Sequence, residues 1–163
     1  MGFRTEKELF DTALISSPIL HLAKLYSNTT YLIEQTGLFG IPDLVIASHD
    51  LSGTCEQPII AFAFEMKLSN WKRALAQAFR YRAFAEVSFV VLDNKYIGRA
   101  LKQIDRFQIA NIGLLSVDLE GNLRIHHQPS HDAPFCQQTR ANFEQIILEI
   151  TLENASKLEA SAT

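Results

Sequence analysis

The chain has 163 residues, 47% hydrophobic, with a net charge of −3, which fits a single domain with an ordinary core. No apolar run reaches the roughly 18–20 residues of a membrane span, and Cys55 and Cys136 alone make no disulfide framework. The total charge hides an uneven distribution, with −5 over residues 1–65, +6 over 66–106 and −4 over 107–163.

Residues 5–15 read as a short helix, because Thr5 followed by Glu8 is a capping-box signature. Ser16-Ser17-Pro18 breaks it, and a second helical stretch is expected over Ile19–Tyr26. Thr30–Thr36 is rich in β-formers and predicts a strand. After Gly37 and Gly40, Ile41–Ala47 predicts another, beginning near Pro42, where a missing N–H does least harm. The polar stretch from Ser48 to Pro58 then joins it, as a long hairpin connection, to Ile59–Lys67.

In Ile59–Lys67 the period-2 alternation puts Ile60, Phe62, Phe64 and Met66 on one face. Ile59, Ala61, Ala63, Glu65 and Lys67 share the other, where the two alanines predict open space beside the charged end. Asn70–Ala85 reads as a strong helix and Val87–Leu92 as a buried parallel strand. Lys95–Phe107 predicts a second strong helix, with Lys95, Arg99, Lys102 and Arg106 inside about 60° of arc. Ile112–Asp118 and Leu123–His126 predict a strand pair across the turn Glu120-Gly121-Asn122. Gln137–Ile150 is a last amphipathic helix, and residues 153–163 read as a frayed tail beyond a domain spanning 1–152. This order indicates an α/β fold, a mixed sheet flanked by helices on both faces.

Antiparallel pairing would bring Asp43 and Glu65 to the same end of a strand pair, with Lys67 beside them. Two neighbouring carboxylates repel unless a cation lies between them, and hard oxygen ligands suit Mg²⁺. A lysine beside such an ion can hold the water that attacks a phosphodiester. Each residue also has a plainer reading: an edge-strand ion pair for Glu65 and Lys67, solvated helix faces for the basic residues. His126-His127-x-x-x-His131 with Cys136 lacks a Cys-x-x-Cys partner, so zinc is not expected. No phosphate-cradling glycine loop is present.

Pro42-Asp43, a 22-residue separation, Glu65-Met66-Lys67 ending an apolar strand, and Gln77-x-x-x-Tyr81 on the next helix together resemble the PD-(D/E)xK nuclease superfamily. The Gln/Tyr pair is similar to the motif of its RecB-type branch. The resemblance implies a restriction-endonuclease-like fold and an Mg²⁺-dependent nuclease, with Mn²⁺ able to substitute. Asp43, Glu65 and the Met66 carbonyl would be the metal ligands. Lys67 would orient or activate the attacking water, and Gln77 and Tyr81 would brace the site or contact the nucleic-acid backbone. Many members add an acid from the first helix; Glu8 is the first choice, with Glu6 and Glu34 as alternatives. Lys72, Arg73, Arg80, Lys95, Arg99, Lys102 and Arg106 are the candidate nucleic-acid contacts, for DNA ahead of RNA. A cytoplasmic location is expected, the charged start lacking the apolar core of a signal peptide. A homodimer, or a place in a larger complex, is a further expectation. The alternative is a non-cleaving nucleic-acid-binding or assembly module on the same fold.

Overall fold

The computed structural model describes residues 1–15, 19, 29–48 and 59–161. The expected helix over Ile19–Tyr26, apart from Ile19 itself, and the connection after Ser48 lie outside these, as do His21, His49 and Cys55.

The described elements run α1 (Glu6–Ile15), β1 (Thr29–Ile33), β2 (Leu44–Ser48), β3 (Ile60–Lys67), α2 (Trp71–Tyr81), β4 (Val87–Asp93), α3 (Ile97–Leu101), α4 (Ile104–Ala110), β5 (Gly113–Val117), β6 (Leu123–His127) and α5 (Gln137–Ser161). The six strands form one mixed sheet in the order β1-β2-β3-β4-β5-β6. β1, β2 and β3 are an antiparallel meander. The crossovers through α2 and through α3–α4 make β3, β4 and β5 parallel, and β6 returns antiparallel.

Period-2 alternation divides the core as the sequence predicts. Phe62, Phe64 and Met66 face Leu9 and Ala13 of α1, with Phe89, Val91 and Leu115 on the same side. The opposite face is covered by α5 over Ala61 and Ala63, and by α2 and α4 over Val90 and Leu92. The two alanines therefore do not border open space. Their small side chains make room for Tyr81, Phe84 and Phe143, and both are fully buried.

Several boundaries differ from the sequence expectation: β1 ends at Ile33 instead of Thr36, α2 ends at Tyr81 instead of Ala85, and three further differences bear on the site or the core. β2 begins at Leu44, after Pro42 and Asp43. The basic helix expected over residues 95–107 is two short helices, separated at Gln103 by a non-helical φ of −129°. The break turns Leu101 to solvent and lets Phe107 pack against Trp71, with ring centroids 6.0 Å apart. Tertiary burial of a large ring has overridden the local period, so the four basic residues do not form one straight stripe. At the C-terminus, α5 runs to Ser161 where a frayed tail was expected, although every residue from 152 to 161 is exposed.

Gly113 shows how closely the sheet is packed. A Cβ there would lie 2.1 Å from Cδ1 of Phe89, whose ring stacks on Phe64 at 5.2 Å. Gly113→Ala is therefore expected to destabilise the fold by about 2 kcal/mol, since that buried ring must leave its stack. The check is a lower urea midpoint at unchanged slope.

Candidate active site

Local structure puts the key side chains at one end of the sheet. In the β2–β3 ladder Leu44 pairs with Phe64, so the next pair outward sets Asp43 across from Glu65. Asp43 Oδ2 accepts the Met66 backbone N–H at 2.6 Å, which fixes the carboxylate against β3.

Glu65 is 1% exposed, yet both of its oxygens are satisfied. Lys67 Nζ lies 2.7 Å from Oε1, and the Tyr81 hydroxyl donates to Oε2 at 2.5 Å. Lys67 also approaches Glu6 Oε2 of α1 at 3.4 Å and the Met66 carbonyl oxygen at 3.1 Å. It thus ties α1 to the end of β3. The Tyr81 oxygen is also 3.0 Å from the Ile41 carbonyl oxygen. The β1–β2 loop closes tightly over this tyrosine: at Gly40, φ is +126° and a Cβ would sit 2.9 Å from the Tyr81 ring. Only glycine adopts that conformation and that approach easily.

Beside Asp43 is a cleft of about 390 Å³ between α1 and the ends of β1 and β3. The carboxylates of Glu6, Asp11, Glu34 and Asp43 line it, while its lysine, Lys7, is held by Asp11 at 2.6 Å. Burial, reinforced by the charges of Glu65 and then Glu6, pushes the Asp43 carboxyl up to about 6, against the Met66 hydrogen bond and Lys67. Burial works against the Lys67 ammonium, but the hydrogen bond and charge of Glu65, with Asp43 and Glu6, outweigh it and raise its pKa. Burial, then Glu65, likewise raises Tyr81 above the ordinary phenol value. The carboxylates therefore remain under-neutralised with Lys67 in place.

This donor set fits Mg²⁺. Asp43 and Glu65 with the Met66 carbonyl offer hard oxygens, and Mg²⁺ normally takes one or two carboxylates and keeps several waters. Among the described residues no three His, Cys, Asp or Glu side chains form a ready-made cage. A cation meeting Glu65 would compete with Lys67 for Oε1.

The structure brings Asp43, Glu65, Met66, Lys67 and Tyr81 together. Gln77, one turn before Tyr81, has a buried Oε1 that meets no hydrogen-bond partner among the described residues. Glu8 does not join them. Its carboxylate accepts the Arg4 N–H at 2.8 Å while its own N–H donates to Thr5 Oγ1, a helix cap whose return bond reaches the residue before Thr5. The helix acid nearest the site is Glu6. The sequence contained that signal, since the Thr5–Glu8 spacing already commits Glu8 to the cap. The Ile41 carbonyl contact was not legible, because it spans 40 residues.

The basic candidates are all exposed, and among the described residues none of Lys72, Arg73, Arg80, Lys95, Arg99, Lys102 and Arg106 forms an ion pair. Lys72 and Arg106 both lie over Trp71, at 5.7 and 5.9 Å from its ring, so α2 and α4 contribute to one patch. Lys72 and Arg73 occupy the first turn of α2, which has no acidic residue. Cations there oppose the helix dipole, a small folding cost that a bound anion would reverse. Among the described residues, His126, His127 and His131 form no metal-holding group with Cys136: His126 Nε2 is 2.8 Å from Ser116 Oγ, and Cys136 accepts from Thr139.

The chain matches no protein-family model, no curated protein and no solved structure.

Proposed function

We propose that the chain is an Mg²⁺-dependent nuclease of the PD-(D/E)xK kind, hydrolysing phosphodiester bonds of DNA. The observation that carries this reading is the juxtaposition of Asp43 and Glu65 on adjacent strand ends, with Lys67 Nζ 2.7 Å from Glu65. The antiparallel meander followed by a helical crossover to a parallel strand accords with a restriction-endonuclease-like arrangement. Mg²⁺, or Mn²⁺ in its place, would be held by Asp43, Glu65 and the Met66 carbonyl, and supplies charge neutralisation at the scissile phosphate when bound.

The chain's own residues do the rest. Tyr81 fixes the Glu65 carboxylate, and the β1–β2 loop fixes Tyr81. Lys67, with its pKa raised, stays an ammonium. That is its state in the metal-free fold; in the proposed reaction it would orient or activate the attacking water beside the metal. Lys72 and Arg106 over Trp71, with Arg73 next to Lys72 in the first turn of α2, would meet the phosphate backbone.

One observation favours a non-cleaving nucleic-acid-binding module: both Glu65 oxygens are already engaged by Lys67 and Tyr81. The discriminating experiment incubates the purified protein with plasmid and single-stranded DNA, in Mg²⁺, in Mn²⁺ and in EDTA. The nuclease reading expects cutting with either metal, none in EDTA, and none from Asp43→Asn or Lys67→Ala. Salt-sensitive binding without metal-dependent cutting would favour the module. Cleavage that persists in both variants would sink the site assignment.

A further inference from the structure

Two exposed aromatic rings stand together beside the basic patch, outside the core. Phe79 of α2 and Phe135, in the loop before α5, have ring centroids 5.9 Å apart at an interplanar angle of 32°. They are 45% and 54% exposed. Both are nevertheless held in place. Phe79 lies in the last turns of α2, and the Phe135 N–H donates to the Arg82 carbonyl at 3.1 Å. An aromatic pair fixed at the surface is preorganised to take a flat ligand at little further cost in entropy.

The surroundings select the ligand. α2 contains no Asp or Glu. Lys72 falls within about 20° of Phe79 on the helix, two turns earlier and about 10 Å along its axis. Ala76 lies between them, exposed and too small to obstruct. Lys72 and Arg106 over Trp71 mark the start of the seam between α2 and α4, and Arg82 Nη1, donating to the Ala110 carbonyl at 3.1 Å, marks its end. The two rings stand at that end. Arg80, next to Phe79, forms no ion pair among the described residues. Asp132, the acid nearest Phe135 in the chain, is taken by Arg82 at 2.8 Å. Free cations at both ends of a helix face, with an open aromatic pair among them, match a polyanion that also carries exposed flat rings. A nucleic-acid strand with unpaired bases is such a ligand, whereas a duplex hides its base faces.

We infer that Phe79 and Phe135 form a stacking platform for unpaired bases of a DNA strand whose phosphates lie along Lys72, Arg80 and Arg106. The inference rests on the reading of the chain as a nuclease acting on DNA, and it narrows the substrate to DNA with a single-stranded segment. Trp71 follows Lys67 by four residues, so a strand leaving the Lys67 end of β3 meets the cations over Trp71 first and the two rings next. Stacking of this kind is indifferent to sequence, since every base has a π-face.

Fluorescence anisotropy of the full chain in EDTA tests it, with two labelled strands of about 12 nucleotides. One is oligothymidylate, and the other is the same backbone made of abasic sites. The wild type should bind the thymidylate about tenfold or more tighter than the abasic strand. Phe79→Ala and Phe135→Ala should each reduce that preference about fivefold or more, with little change for the abasic strand. Phe79→Tyr and Phe135→Tyr keep a ring and should keep the preference. Lys72→Ala should instead weaken both strands alike and flatten the salt dependence. The two rings belong to different elements, so a fold lost in one alanine variant, seen by circular dichroism, leaves the other to decide. A wild type that binds both strands equally, or alanine variants that keep the wild-type preference, overturns the inference and leaves the DNA reading intact. A wild type that binds neither strand at low salt overturns it too, while the nuclease reading stands or falls separately on the cutting assay. Base preference lost with the rings, but no cutting in Mg²⁺ or Mn²⁺, would uphold the platform and overturn the nuclease.

Discussion

Asp43→Asn is expected to stabilise the metal-free protein by about 2 kcal/mol at neutral pH while abolishing cleavage. The Asp43 carboxyl is pushed up to about 6 in the fold, against an unfolded value near 3.8, by burial and by the charges of Glu65 and Glu6. A raised carboxyl binds its proton more tightly when folded. Its contribution to stability is fully present below the unfolded value and is lost as pH rises through about 6. The full gap corresponds to about 3 kcal/mol, reduced to about 2 because Asp43 keeps some contact with solvent. Asparagine removes the repelling charge and can still accept the Met66 N–H through its amide oxygen.

The measurement is urea unfolding of both proteins in EDTA from about pH 4 to 8. The wild type should lose stability relative to the variant as pH rises from about 4 through about 6, and the gap should then level off. Mg²⁺ should restore the wild type and leave the variant unchanged, since binding to the native state alone stabilises it. A variant no more stable than wild type at pH 7.5 would contradict the electrostatic account of the cleft. On the proposed nuclease reading, the carboxylate that destabilises the metal-free fold is the one that would hold the metal, a conflict between stability and activity.

Lys67→Ala should have the opposite sign and a larger size. Its ammonium is the cation nearest Glu65, a carboxylate with almost no access to water. Removing one partner of a buried pair leaves an uncompensated charge, at a cost of about 3 kcal/mol or more. The Tyr81 hydroxyl remains, but one neutral donor does not replace an ammonium. The double variant Glu65→Gln/Lys67→Ala should recover most of the loss, because a neutral amide accepts from Tyr81 without needing a counter-ion. The expected coupling is about 2 kcal/mol, read from the four urea midpoints of the cycle. Simple additivity would mean that Lys67 stabilises through packing of its stem alone.

Much of the candidate site was legible because its signals are local. The alternation in Ile60–Lys67 fixes which side chains share a face, and a strand geometry of period two makes that a direct reading. The Gln77/Tyr81 spacing is one helical turn, and Asn70, the residue before α2, does cap that helix by accepting from the Arg73 N–H. Of the two roles open to Glu8, the structure shows the local one, the cap, while Glu6 is the helix acid beside Lys67.

The sequence by itself determined the period of each main element, the α/β order, and a charged motif at the end of an apolar strand. These depend on neighbours one to four residues apart, where backbone geometry leaves few alternatives. The tertiary structure alone decided what those residues meet. It filled the alanine face with Phe84 and Phe143, and broke the basic helix so that Phe107 could reach Trp71. It chose Glu6 over Glu8 beside Lys67, and gathered under-neutralised carboxylates around one cleft. Such outcomes rest on burial and on charges brought together across 40 or 60 residues. In those contacts desolvation and repulsion, which have no sequence period, settle the arrangement.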